Sequence, residues 1–176
     1  MNLLRIPVLV LAITLLLALP VHAQGWYMDA ALEVVDLGQD LSDVSMGLGL
    51  ALDFGLDFHN GFALNLGFAS SAHQEDGFDT TYTRFWAGPR VTFVTRGGVR
   101  PYLEAGIMSH LVDWDLLFYD IDGNGLYVSG GVLWPMYSGG SLGGYIKYSS
   151  WDGEDSLGNF GDVSTTVVGV SYTLGF

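Results

Sequence analysis

Alternation dominates this sequence. From Val44 to Leu56 every even position is large and apolar (Val44, Met46, Leu48, Leu50, Leu52, Phe54, Leu56), while the odd positions are small or charged (Ser45, Gly47, Gly49, Ala51, Asp53, Gly55). Successive side chains of a strand point to opposite faces, so this period of two describes a strand with one greasy face. The rhythm recurs. Trp26, Met28, Ala30, Leu32 and Val34 alternate with Tyr27, Asp29, Ala31 and Glu33, and Val168, Val170, Tyr172, Leu174 and Phe176 alternate with Val167, Gly169, Ser171, Thr173 and Gly175. Five further segments, around 62–69, 84–93, 101–111, 126–136 and 142–149, repeat it less regularly and bring the count to eight.

The connections between segments alternate as well. His59 to Gly61, Thr95 to Gly98 and Tyr137 to Ser141 are short; Asp36 to Asp43, Ser71 to Asp79, Val112 to Gly125 and Trp151 to Asp162 are long. An even number of strands with tight turns at one end and longer loops at the other predicts an all-β fold, an eight-stranded antiparallel up-and-down transmembrane β-barrel. A soluble β-sandwich alternates equally well. Against it stand the full-length apolar faces and the aromatic residues near strand ends, Trp26, Phe54, Phe62, Tyr148, Tyr172 and Phe176.

The first 23 residues read as a cleavable export signal: a basic start at Arg5, an apolar run from Ile6 to Leu19, and small residues before Gln24. That run is shorter than the roughly 20 residues of a spanning helix. Residues 24–176 then form one barrel domain. Cysteine is absent, so disulfides do not stabilise this exported chain. Hydrophobic residues make up 49 % and charged residues 14 %, and removal of Arg5 leaves 5 basic against 19 acidic residues, a net charge of -14. Such a balance excludes a disordered polymer and a nucleic-acid binder.

Ala87-Gly-Pro-Arg-Val-Thr-Phe93, a short turn and Arg100-Pro-Tyr-Leu-Glu-Ala-Gly106 resemble the central hairpin of the small outer-membrane β-barrel family, the OmpA and OmpX transmembrane type with its opacity-like members. The terminal strand, with Gly169, Tyr172, Leu174 and Phe176, is similar to the signal such barrels present to their assembly machinery. The resemblance covers residues 24–176. It implies an outer-membrane location in a Gram-negative envelope, lipids and lipopolysaccharide as surroundings, and the barrel assembly machinery as a partner. A monomer is expected. With Phe176 as the last residue, the peptidoglycan-binding domain that follows the barrel in OmpA is not expected.

Parity turns Asp29, Glu33, Asp53, Arg84, Arg90, Glu104, His110 and Lys147 inward. An eight-stranded barrel is just wide enough for side chains to fill it, and buried charges persist only when paired, so these residues are expected to form a structural plug rather than a conduction path. By height along the strands, Glu33, Arg84, His110 and Lys147 would make one ionic layer and Asp29, Asp53, Arg90 and Glu104 another. Inward glycines such as Gly47, Gly49, Gly67, Gly88, Gly106 and Gly131 would leave room for the long charged side chains.

Of the 19 acids, 14 fall in the four long connections. This acidic rim is expected to stay solvated, with divalent cations able to bridge it to lipid phosphates. Within it, Asp120, Asp122 and Asn124 match the start of a D-x-D-x-N-G calcium loop, but the twelfth position is Gly131 instead of a bidentate acid. An EF-hand is excluded, and these three residues remain candidates for a looser Ca2+ site. Catalytic residues are not expected. The mature histidines are His59, His73 and His110; the His-x-Ser pair of the lipid A deacylase type does not occur, and Asp155-Ser156 matches palmitoyltransferase barrels over only two residues. A structural or surface-interaction role follows, with a small passive pore and a lipid A-modifying enzyme as the rivals.

Overall fold

The computed structural model describes residues 25–39, 41, 46–58, 61–75, 78–114, 119–137, 139–155 and 158–175. The signal segment, His59, Asp43, Asp76, Asp115, Ser156 and Phe176 lie outside them. Eight strands follow one another: β1 (Gly25–Gln39), β2 (Gly47–Asp57), β3 (Phe62–Glu75), β4 (Phe78–Thr92), β5 (Arg100–Trp114), β6 (Tyr119–Pro135), β7 (Gly140–Asp155) and β8 (Gly158–Gly175). Each pairs antiparallel with its sequence neighbour, and β1 closes on β8 through a ladder running from Tyr27 opposite Gly175 to Gln39 opposite Val163. Closure leaves no strand edge unpaired, which hydrocarbon requires because it offers backbone groups no partner.

Alternation now has a physical reading on both faces. Outward-facing Leu48 is 72 % exposed and Leu126 is 70 %, and Leu32, Leu50, Ile107, Ile146 and Val170 join them in a continuous apolar belt. Water does not tolerate a patch of that extent, so the belt faces lipid. Trp26, Phe54, Phe62, Tyr148 and Tyr172 point outward with it.

At one end the strands turn tightly. Gly98 donates its N–H to the Thr95 carbonyl at 3.0 Å and Gly139 to that of Met136 at 3.2 Å. Both glycines have φ near +80 to +90° (79° and 89°), a region that suits glycine because a Cβ would crowd the following carbonyl. This is the short-turn end, and it also holds both ends of the barrel sequence.

The opposite, hairpin end differs from the sequence expectation. The segments read as long loops are mostly strand: β3 runs to Glu75 and β4 starts at Phe78, β5 runs to Trp114 and β6 starts at Tyr119, β7 runs to Asp155 and β8 starts at Gly158. What changes there is polarity. Outward positions become polar (Asp36, Thr166, Ser164, Asp113, Asp122, Asp152, Glu154), and inward positions become apolar, with Val35, Leu37, Val112, Ile121, Trp151, Val163 and Val167 all buried. Polar outward residues mimic a loop in sequence, yet ladder hydrogen bonds form equally well in water. A spanning strand needs about 9–11 residues, and β3 to β8 have 14 to 18. The surplus carries the hairpin end roughly 10–15 Å beyond the lipid belt.

Candidate functional site

All eight inward residues of the sequence set, seven charges and His110, lie buried in the lumen, none of them more than 7 % exposed. Seven of them sort into the two layers expected, and Lys147 departs. In the lower half, toward the short turns, Arg90 holds two carboxylates at once: Nη1 donates to Asp29 Oδ2 at 2.9 Å and Nε to Glu104 Oε2 at 2.8 Å. Glu104 also accepts from Asn65 Nδ2 and from the Tyr127 hydroxyl, both at 2.7 Å. Trp86 Nε1 donates to Asp53 Oδ1 at 2.7 Å, and Tyr27 is hydrogen-bonded to Asn65 Oδ1. The Arg90 guanidinium lies 4.3 Å from the Tyr102 ring centre and 5.3 Å from that of Tyr27. Arg90 is thus sandwiched by aromatics while its fork is spent on carboxylates, the use to which a planar guanidinium is suited.

Lys147 joins this lower cluster instead of pairing with Glu33. Its Nζ sits 3.4 Å above the Trp86 ring, and it lines one cavity with Asp29, Asp53, Arg90 and Glu104. The reason is barrel shear. Ladder partners climb as they pass around the barrel, so Glu104 is opposite Ser129, Ser129 opposite Lys147, and Lys147 opposite Val167. Height judged along one strand does not transfer to the next.

Higher up, Arg84 pairs with Glu33, whose Oε1 also accepts from the Tyr145 hydroxyl at 2.6 Å. His110 makes no ion pair in this layer. Its ring stacks on Trp151 with centres 4.5 Å apart and planes 6° from parallel, and its Nδ1 meets the Tyr82 hydroxyl at 2.5 Å. Thr165 Oγ1 binds both the Tyr82 hydroxyl at 3.0 Å and Trp151 Nε1 at 3.3 Å. This aromatic lid merges into the apolar cluster of Val35, Leu37, Leu41, Val112, Ile121 and Val163.

The tyrosines and tryptophans are the network members that charge counting overlooks. Parity alone already turned Tyr27, Asn65, Trp86, Tyr102, Tyr127 and Tyr145 inward. The inward glycines serve these rings more than the charged chains. A Cβ on Gly67 would run into Trp86 and Asp53, one on Gly131 into Tyr102, one on Gly55 into Tyr27 and one on Gly169 into Tyr145. Each ring lies flat against a neighbouring strand where only hydrogen leaves space.

Ser71 and His73 lie on one face of β3, with Ser71 Oγ 2.9 Å from His73 Nε2. Both are 2 % exposed, so the pair is enclosed by protein. Residues 120–125 belong to β6 and pair with β5 and β7, Asp122 standing opposite Leu111 and Glu154. Ligands two apart on an extended strand are spaced along it by about 6–7 Å and cannot curl around one ion as a calcium loop does. Among the described residues no three His, Cys, Asp or Glu side chains are placed to share a metal. In β8, Tyr172 and Leu174 face outward and Gly169 faces inward.

No family model matches the sequence, and no curated protein matches it. Solved structures do. Neisserial surface protein A superposes with a TM-score of 0.73 at 17 % identity, covering 86 % of this chain and 97 % of that one. The outer membrane protein OprG of Pseudomonas aeruginosa gives 0.61 at 12 % identity, over 88 % and 97 %. The attachment invasion locus protein Ail of Yersinia pestis, solved with the heparin analogue sucrose octasulfate, gives 0.52 at 14 %, over 85 % and 97 %. At these identities the likeness is one of fold: that of the small eight-stranded outer-membrane β-barrel.

Proposed function

We propose that this protein is an outer-membrane scaffold that displays a rigid acidic surface, and neither a pore nor an enzyme. The observation that carries this reading is the filled lumen. An interlocked ionic and aromatic network occupies the lower half and an aromatic and apolar plug the upper, with Arg84 paired to Glu33 and Arg90 to Asp29 and Glu104. What the fold leaves available is its outer surface: a belt for lipid, and above it Asp36, Asp79, Asp113, Asp122, Asp152, Glu154 and Asp162 on the projecting hairpins.

In this reading the chain is exported through residues 1–23, inserted as a monomer by the barrel assembly machinery through Gly169, Tyr172, Leu174 and Phe176, and surrounded by lipopolysaccharide. The outer half carries no lysine or arginine to meet lipid phosphates directly: Arg84, Arg90 and Lys147 are buried, and Arg96 and Arg100 sit at the short-turn end. Divalent cations shared between carboxylates and phosphates supply the link, since hard cations favour oxygen ligands. Purified protein should bind lipopolysaccharide-bearing vesicles in magnesium or calcium and release them in chelator. Binding unaffected by chelator would refute the cation bridge. In planar bilayers the protein should stay silent, and stepwise conductance would restore the pore. Expression should leave the lipid A mass spectrum unchanged.

A further inference from the structure

The lower lumen contains an electrostatic imbalance beside a small cavity. Among the described residues the lumen buries four carboxylates, Asp29, Glu33, Asp53 and Glu104, against three cations, Arg84, Arg90 and Lys147. The excess is local. A cavity of about 10 Å³, the size of one water molecule, is lined by Asp29, Asp53 and Glu104 on the acidic side and by Arg90 and Lys147 on the basic side.

Asp29 and Asp53 stand directly opposite each other in the β1–β2 ladder, an arrangement in which like charges repel at close range. The partners of each are fixed. Arg90 takes Asp29 Oδ2 and Trp86 takes Asp53 Oδ1. Asp29 Oδ1 is buried with no hydrogen-bond partner, and so is Oγ1 of Thr173, which faces Asp29 from β8. Lys147 is drawn onto the face of Trp86. A buried carboxylate oxygen without a partner carries the full cost of its lost hydration, so a missing positive charge or donor is expected at that place.

We propose that this cavity binds one monovalent metal cation, sodium or potassium, against Asp29 Oδ1. The hydroxyls of Ser129 and Ser171, which line the same cavity, supply neutral oxygen ligands of the kind such an ion takes. The chemistry selects a unit charge: one carboxylate is in excess, and among the described residues no three acidic or histidine side chains are placed to share a divalent ion. Tyr102 and Tyr145 complete the lining, and the ion is held as part of the folded barrel rather than conducted.

The test compares thermal unfolding of the refolded, detergent-solubilised protein in sodium, potassium and choline chloride at equal ionic strength. Choline is too large for the cavity. A melting temperature several degrees higher in sodium or potassium is expected, because a ligand that binds only the native state stabilises it. Asp29→Asn and Asp53→Asn should each abolish the difference, whereas Asp162→Asn on the outer surface should preserve it. Identical melting in all three salts, or loss of the difference in Asp162→Asn, overturns the site. Should the lumenal variants fail to fold, crystals of the unaltered protein grown in rubidium chloride decide. An anomalous peak beside Asp29 Oδ1 supports the ion; a cavity without that peak overturns the proposal.

Discussion

At the scale of single residues, this lumen is organised by pairs of a flat ring and a missing side chain. Gly67 stands between its ladder partners Asp53 and Trp86, and a methyl there would meet both. Gly67→Ala should therefore cost about 1–3 kcal/mol, the usual penalty of overpacking. Gly144, whose added Cβ would find its nearest neighbour, the Gly169 carbonyl oxygen, 4.0 Å away, is the control. Gly144→Ala should stay within about 0.5 kcal/mol of the parent in denaturant titrations. The Glu33–Arg84 pair tests the ionic side. Arg84→Met leaves Glu33 charged and buried and should destabilise by about 3–5 kcal/mol, while Arg84→Met combined with Glu33→Leu should recover much of that loss. An additive double variant would show that the two side chains do not depend on each other. The inward charges were readable from the parity of positions such as Arg84 and Lys147. Their partners were not, because contacts across the lumen depend on shear, which no single strand encodes.

At the scale of strands, the inversion of polarity separates two environments along one ladder. On β1 the outward series Leu32, Val34 gives way to Asp36, and the inward series Asp29, Glu33 gives way to Val35 and Leu37. β8 changes over the same stretch, since Val168 is opposite Val34 and Thr166 is opposite Asp36. Nitroxide labels at Leu32 and Val170 should be reached by oxygen dissolved in lipid, and labels at Asp36 and Ser164 by a water-soluble nickel chelate. Lipid-like accessibility at Asp36 would mean that the strands do not project. Strand number, direction and facing were legible because hydrocarbon enforces a strict period of two. Strand length was not. Above the belt, Val112, Ile121 and Val163 keep the period while reversing its sense, and the polar residues alternating with them look like loop.

At the scale of the whole molecule, closure and filling act together. The β1–β8 ladder removes the last edge, and Arg90, Trp86, Tyr82 and Trp151 span the interior that closure creates. A barrel so occupied fits the scaffold proposed above. The projecting acidic hairpins bear on how the molecule comes to rest in its bilayer. If the hairpin end were drawn back through the bilayer, Asp36, Asp79, Asp113, Asp122, Asp152, Glu154 and Asp162 would have to enter hydrocarbon, where each carboxylate costs on the order of 2.5–3.5 kcal/mol at the centre. Withdrawal is uphill for all of them together. The crown works as a stopper that holds the barrel at its depth in the bilayer.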